Sequence, residues 1–253
     1  MQANALLQSE DLTIRFGGHA AVDSVTCGFA PGTLTAIVGP NGAGKTTYFN
    51  LLSGQLRATS GRVLLQGEDI TRLPASIRAR RGLGRAFQLT NLFPNLTVHE
   101  NVRLAVQATG GRGHDFWSVW SANRALVQEA DRILAEIALE SKRDVLAAEL
   151  PHGDQRKLEV AILIALQPKV FMFDEPTAGM SVDEAPVILD LIAGIKVQRD
   201  KTVILVEHKL DVVRSLADRI IVLHQGQLVA DGEPATVMAS QVVQEAYLGV
   251  AAE

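Results

Sequence analysis

A glycine-rich segment that ends in a lysine and two threonines is the part of the sequence that most directly predicts chemistry. It runs from Gly39 to Thr47 and fits the pattern G-x-x-x-x-G-K-[ST]. Glycines let backbone N–H groups turn toward phosphate oxygens, the lysine carries positive charge to the β- and γ-phosphates, and the next hydroxyl can ligate Mg²⁺. A turn without a ligand is the alternative, but the segment lies between an apolar run and a helical pattern, where a phosphate loop must lie. The predicted nucleotide site comprises Gly39, Pro40, Asn41, Gly42, Ala43, Gly44, Lys45, Thr46 and Thr47.

Two consecutive acids, Asp174 and Glu175, follow the apolar run 170–173. An acid at the end of a strand is common and is weak evidence by itself. Together with a phosphate loop, it predicts that Asp174 holds Mg²⁺, directly or through water, and that Glu175 polarises an attacking water. The sequence contains no Asn-Lys-x-Asp motif for reading guanine. This absence and the Glu beside the Asp both argue against a GTPase.

Composition narrows the class of protein. The 253 residues are 47% hydrophobic, which is enough for one large core or two modest ones. The net charge of -4 argues against a dedicated nucleic-acid binder, so we expect no nucleic-acid partner. The single cysteine, Cys27, excludes an internal disulfide and fits a reducing compartment. The longest apolar run, 160–166, is far shorter than the roughly 20 residues of a spanning helix, and we see no signal peptide. We expect a soluble, cytoplasmic chain.

The hydrophobic periodicity predicts an α/β core. Continuous apolar strands separated by helical stretches indicate a largely parallel sheet. A helix is predicted over 45–53, ended by Gly54. The predicted strands are 34–38, 62–65, 170–173, 203–206 and 220–223, the last turning at Gln225-Gly226 into a further strand.

The middle of the chain predicts helices. Thr97 and Glu100 have the spacing of a capping box, so a helix should follow. Apolar residues between Leu126 and Ile137 form a second helical stripe. We therefore predict a helical insertion over 88–153 in an α/β core formed by 1–87 and 154–253, the whole making one domain.

With these motifs, the chain resembles the ATP-binding subunits of ABC transporters from about residue 12 to 249. The resemblance implies a P-loop core with a mainly parallel sheet, an antiparallel β subdomain and an inserted α-helical subdomain. It implies that Phe16 stacks on adenine, that Gln88 joins the two lobes and senses Mg²⁺ and water, and that His208 contacts the γ-phosphate. Without the resemblance, the sequence would favour interpreting Phe16 as a lone buried aromatic and His208 as a structural residue. The implied cofactors are ATP and Mg²⁺, with the metal at Thr46, Gln88 and Asp174, and Lys45, Gln88, Glu175 and His208 in catalysis.

The family's signature segment departs here from the usual Leu-Ser-Gly-Gly-Gln. Residues 150–156 read Leu-Pro-His-Gly-Asp-Gln-Arg. Gly153 would expose N–H groups to nucleotide ahead of a helix predicted over 156–166. Pro151 lacks the hydroxyl and the N–H that serine would supply. Asp154 adds negative charge near an anion, or caps the helix. A loop that merely caps a helix is the alternative interpretation.

Three features make the chain similar to the larger ATPase of branched-chain amino-acid importers. They are the Pro-Thr-Ala-Gly-Met-Ser run at 176–181, the long insertion around 110–120, and an ending soon after 246–249, which the lipopolysaccharide-export ATPase shares. The resemblance implies an ATPase at the cytoplasmic side of the inner membrane. Its partners would be a second ATPase subunit, identical or different, transmembrane permease subunits and, indirectly, a solute-binding protein. Urea or amide import, lipopolysaccharide export, and repair or translation by a soluble ABC ATPase stay open as alternatives.

A local basic cluster has two interpretations. It is either a solvated face or a surface that attracts anionic headgroups or a permease. Its members are Arg72, Arg78, Arg80, Arg81 and Arg85.

Overall fold

A computed structural model describes residues 5–86, 92–109, 124–180 and 185–248. The strands in these residues are β1 (Leu7–Phe16), β2 (His19–Phe29), β3 (Leu34–Val38), β4 (Ser60–Leu65), β5 (Glu68–Asp69), β6 (Leu83–Arg85), β7 (Val170–Asp174), β8 (Thr202–Val206), β9 (Arg219–His224) and β10 (Gln227–Gly232). The α-helices are α1 (Lys45–Ser53), α2 (Ala75–Arg80), α3 (Val98–Thr109), α4 (Arg124–Glu136), α5 (His152–Ala165), α6 (Ala185–Val197), α7 (Leu210–Leu216), α8 (Pro234–Met238) and α9 (Gln241–Leu248). No helix in the described ranges has the length and apolar character needed to cross a membrane.

The described residues form two compact units. The first takes in the described parts of Met1–Arg85, Lys169–Glu175 and Ile195–Glu253, and the second those of Ala86–Pro168 and Pro176–Gly194. The predicted insertion 88–153 falls within the second unit, which also contains α5 and most of α6. The boundaries predicted at 87/88 and 153/154, and the single domain, remain predictions.

The first unit contains a six-stranded sheet in the order β10-β9-β3-β8-β7-β6. Neighbouring strands from β9 to β6 are parallel, and β10 pairs antiparallel with β9. Every residue of β3, β7 and β8 is buried, as their continuous apolar sequences predict for strands covered on both faces. Because parallel strands end at the same edge, the loops after β3, β7 and β8 meet there.

A second, antiparallel sheet in the same unit has the order β2-β1-β4-β5. Helix α1 contributes Tyr48, Phe49, Leu51 and Leu52 to a core that includes residues of both sheets. The predicted antiparallel subdomain and the helix over 45–53 are confirmed, with Gly54 following α1 at a φ of 81°.

The second unit is helical in its described part. Helices α3, α4 and α5 pack around a core that includes Val98, Val102, Ile133, Leu134 and Leu158. The predicted capping box forms at the start of α3. There the Thr97 N–H donates to Glu100 Oε2 at 2.8 Å, and the Glu100 N–H donates to Thr97 Oγ1 at 3.1 Å.

The basic cluster does not form one surface. Arg78 is only 2% exposed. Its guanidinium donates to the carbonyl oxygens of Leu51 and Leu52 in the last turn of α1, at 2.8 and 2.7 Å. Further bonds go to the carbonyls of Leu73 and Thr71, at 2.9 and 2.8 Å. Burial lowers the pKa of Arg78 to about 10, so it stays charged at neutral pH. Arg78 therefore does not belong to an exposed basic face, as both interpretations had assumed. Arg72, Arg80 and Arg81 are exposed, and for them the two interpretations stay predictions.

Candidate functional site

The phosphate loop leaves the end of β3 in a shape that requires glycine. Gly39 has a φ of 150°, and a Cβ there would lie 2.1 Å from the carbonyl oxygen of Leu223. Gly44 has a φ of 95°, and a Cβ there would lie 2.4 Å from the carbonyl oxygen of Ala21. Gly44 is also the N-cap of α1, and no described side chain caps that end. The first-turn N–H groups are thus left for an anion.

Lys45 lies folded against its own loop. It is 5% exposed, and its Nζ donates to the carbonyl oxygens of Gly39 and Pro40 at 2.7 and 2.9 Å. Burial lowers the pKa of this ammonium, while the charges of Glu175 and Asp174 oppose that shift. The loop borders a recess of about 230 Å³. Its lining residues are Ala21, Asn41, Gly42, Ala43, Gly44, Lys45, Thr46, Thr47 and His208.

The two carboxylate oxygens of Asp174, the acid that ends β7, have different surroundings. The side chain of Asp174 is fully buried, and its Oδ2 accepts from Arg85 Nη2 at 3.3 Å. Its Oδ1 has no hydrogen-bond partner in the part of the chain that the structure describes. Burial raises the pKa of Asp174, and the Arg85 guanidinium opposes this. A buried carboxylate oxygen that lacks a partner fits a ligand of a hard cation such as Mg²⁺.

The described residues hold no group of three or more His, Cys, Asp or Glu side chains that could bind a metal. Mg²⁺ in nucleotide sites is commonly bound by one or two carboxylates together with the phosphate oxygens of the nucleotide, and the single carboxylate of Asp174 fits this mode. Thr46, the other predicted ligand, is exposed in the first turn of α1.

Glu175 and His208 are brought together across the ends of β7 and β8. The Glu175 N–H donates to the carbonyl oxygen of Val206 at 2.9 Å. Its Oε1 lies 2.6 Å from His208 Nε2. The φ of Glu175 is 49°, a value that is rare away from glycine and that occurs at functional sites. The structure therefore brings Lys45, Asp174, Glu175 and His208 to one edge of the sheet.

Two further predicted residues have different outcomes. Phe16 ends β1 and is 53% exposed, so the interpretation as a buried aromatic is wrong. Its partner in the register is His19, two residues before Ala21 in the recess. An exposed ring on the strand pair that leads to Ala21 agrees with stacking on adenine, which stays a prediction. Gln88 lies outside the described residues, and its role also stays a prediction.

The signature segment differs from the prediction. Helix α5 begins at His152 rather than at 156, with Pro151 as its N-cap. Pro151 has the extended backbone of an N-cap residue, with a φ of -55° and a ψ of 155°, so its side-chain ring does not clash with a helical turn. Gly153 is thus buried in the first turn, not exposed ahead of the helix. Asp154 does not cap the helix, because its carboxylate pairs with Lys142 and Lys157.

Arg85 is the site residue that sequence reasoning missed. The sequence places it in a local basic cluster, yet its side chain is 9% exposed and bonded to Asp174. The signal in the sequence that could have indicated its burial is the short apolar segment that forms β6 and ends at Arg85.

Comparison with known proteins identifies the family. A family model described as "ABC transporter" matches residues 22–178. The chain belongs to the ABC transporter family. It is 38% identical to the high-affinity branched-chain amino acid transport ATP-binding protein LivG of Escherichia coli K12, over 97% of this chain and 98% of the relative. The protein BraF of Pseudomonas aeruginosa, of the same description, is 36% identical over the same shares.

A solved structure supports the fold of this ABC protein. The ADP conformation of MJ1267, an ATP-binding cassette of an ABC transporter, superposes with a TM-score of 0.81 at 29% identity, covering 97% of this chain and 99% of that one. The predicted family and fold class are confirmed. An ABC ATPase binds nucleotide, which agrees with the ligand class predicted from the glycine-rich loop.

Lys45→Ala should weaken binding of MgATP about tenfold to hundredfold, because the loss of one charge-assisted phosphate contact is worth roughly 1.5–3 kcal/mol. Calorimetric titration of the purified ABC protein measures this. Lys169→Ala is the matched control, since Lys169 is exposed and its ammonium donates to Gln66 Oε1 at 3.2 Å. Equal affinity in wild type and Lys45→Ala would contradict the assignment of the loop.

Proposed function

We propose that this chain is the ATP-hydrolysing subunit of an importer for branched-chain or other hydrophobic amino acids. The observation that carries the proposal is its 38% identity to LivG over nearly the whole length of both proteins. The grouping of Lys45, Asp174, Glu175 and His208 at one sheet edge supports it, because a partner without catalytic activity would not need all four.

In the proposed mechanism, the glycine loop and Lys45 hold the β- and γ-phosphates and Phe16 stacks on adenine. Mg²⁺, held by Thr46, Gln88 and Asp174, would neutralise charge on the phosphate oxygens. Glu175 orients and polarises the attacking water. His208 holds the Glu175 carboxylate through their 2.6 Å contact and reaches toward the γ-phosphate.

The proposed working unit is a pair of ATPase subunits on permease subunits at the cytoplasmic side of the membrane. Each ATP would lie between one phosphate loop and the signature of the other subunit. Binding would favour the closed pair and hydrolysis would release it, so that the permeases alternate access for solute delivered by a binding protein.

The signature of this chain suits an unequal pair. Pro151 supplies neither hydroxyl nor N–H to a phosphate. The charge of Asp154 is countered by Lys142 and Lys157, so the segment does not repel an anion as strongly as its sequence suggests. A different partner with serine at that position would complete the site built on this chain's Lys45 and Glu175.

Reconstitution of the chain with its permeases and second ATPase in liposomes tests the proposal. We expect low ATPase activity from the chain alone, a clear rise in the complex, and ATP-dependent uptake of leucine, isoleucine or valine.

Pro151→Ser should raise hydrolysis at the partner's nucleotide more than at this chain's own, whereas Pro74→Ser, at an exposed N-cap, should change neither. Full cooperative ATPase activity from the isolated chain, or a complex that moves lipopolysaccharide instead, would contradict the proposal.

A further inference from the structure

Arg85 links the helix of the phosphate loop to the acid that ends β7. Its Nη1 donates to Asn50 Oδ1 at 2.6 Å and to Ser53 Oγ at 2.9 Å, both on α1. Its Nη2 donates to Asp174 Oδ2 at 3.3 Å. Its guanidinium carbon lies 4.7 Å from the centre of the Phe49 ring. One buried side chain therefore contacts the helix that begins with Lys45 and the carboxylate of Asp174.

A contribution to stability alone does not account for this arrangement. Removing two charges from water costs more than their attraction commonly returns, so a buried ion pair is weak evidence for stability. The β6–β7 pairing does not require an arginine, because the backbone of Arg85 pairs with Met172 whatever its side chain. The planar fork of arginine does provide what a lysine cannot, namely simultaneous fixed bonds to α1 and to a carboxylate.

The different surroundings of the two Asp174 oxygens indicate the role of the contact with Arg85. Arg85 engages Oδ2, whereas Oδ1 is buried and has no hydrogen-bond partner among the described residues. We propose that Arg85 is a positioning residue for Mg²⁺: it fixes Asp174 through Oδ2, keeps Oδ1 for the metal or its water, and ties this carboxylate to the helix that carries Lys45 and Thr46. The inference rests on the proposed function, since it needs the MgATP site. Partners that orient a metal-binding carboxylate typically change metal affinity by about 10–100-fold when they are removed.

The experiment measures ATP binding to the purified chain by calorimetry, without turnover, at increasing Mg²⁺ concentrations. The quantity compared between variants is the Mg²⁺ concentration that gives half of the Mg²⁺-dependent gain in ATP affinity. Arg85→Met should raise that concentration about 10–100-fold. Arg81→Met is the matched control, because Arg81 is exposed and pairs with Glu68 at the surface, and it should leave the concentration unchanged. The Mg²⁺ dependence is compared, rather than affinity alone, because loss of any positive charge also weakens anion binding.

A double-mutant cycle separates positioning from a general structural effect. In an Asp174→Asn background, Arg85→Met should cause no further change in the Mg²⁺ dependence, because the carboxylate that it positions is gone. An equal shift in both backgrounds, or an unchanged or lower Mg²⁺ requirement in Arg85→Met, would overturn the inference.

Asn50→Ala keeps the test valid if Arg85→Met does not fold. It removes the 2.6 Å contact that holds Arg85 but leaves both charges in place. We expect a smaller shift in the same direction, and a wild-type Mg²⁺ requirement would overturn the inference. Failure of the proposed MgATP site is distinguishable, because the wild-type chain would then bind no ATP or show no Mg²⁺ dependence, and failure of the proposed import of amino acids would leave the Mg²⁺ dependence of ATP binding intact.

Discussion

Glu175→Gln should retain MgATP binding and lose turnover by about 10²–10⁴-fold, the usual contribution of a positioned general base. Glutamine keeps the size of the side chain and one carbonyl oxygen near His208, but it cannot accept the proton of water. ATP-bound closed pairs should therefore accumulate. Phosphate release from the assembled transporter and size-exclusion chromatography with ATP measure these two effects.

Glu68→Gln is the matched control for this substitution. Glu68 is exposed and pairs with Arg81 away from the site, so the change should leave turnover intact. Hydrolysis at the wild-type rate in Glu175→Gln would exclude Glu175 as the base.

Arg78→Met should lower the free energy of unfolding by about 3–5 kcal/mol. The substitution removes four hydrogen bonds, and each buried carbonyl oxygen that stays without a donor costs roughly 1–3 kcal/mol. The Leu51 oxygen keeps one donor, the Gly54 N–H at 3.3 Å. Gly54 leaves room for the guanidinium, since a Cβ there would lie 2.6 Å from Arg78 Nε, and the apolar end of a methionine offers no donor to the carbonyl oxygens around this space. Urea unfolding followed by circular dichroism measures the loss.

Two further variants test the explanation for Arg78. Arg80→Met, on the exposed side of the same helix, should cost less than about 0.5 kcal/mol. The loss in free energy of unfolding for Arg78→Lys should lie between the losses for Arg80→Met and Arg78→Met, because a lysine ammonium has three donors and no planar fork. A loss below about 1 kcal/mol in Arg78→Met would show that water or neighbouring donors replace its bonds.

The parts of the fold and site that the sequence predicts are those set by local physics. The phosphate loop, the apolar strands and the capping box of Thr97 each depend on spacing within a few residues, and the structure places them as expected. The start of α5 at His152 differs from the predicted start at 156 although its signal is local, because the prediction uses Pro151 only for the hydroxyl and the N–H that it lacks and not as the residue before a helix.

The roles of Arg78 and Arg85 could not be predicted in the same way. Neighbours in sequence give both arginines the pattern of an exposed basic cluster, but their partners are on α1 and β7. Charged residues are rarely buried, so sequence reasoning favours a surface position. Only the packing of these elements shows that both guanidinium groups are buried.

The close approach of Leu223 and Ala21 to the two loop glycines has a consequence for biosynthesis. Gly39 lies against the backbone of β9, and the Gly226 N–H after that strand donates to the carbonyl oxygen of Ala43 at 3.0 Å. A ribosome releases every phosphate-loop residue long before Leu223 and Gly226 leave its exit tunnel. A nascent chain of intermediate length therefore contains the whole nucleotide motif without the strand that shapes it. We therefore expect immobilised ATP to capture only chains whose translation has passed β9.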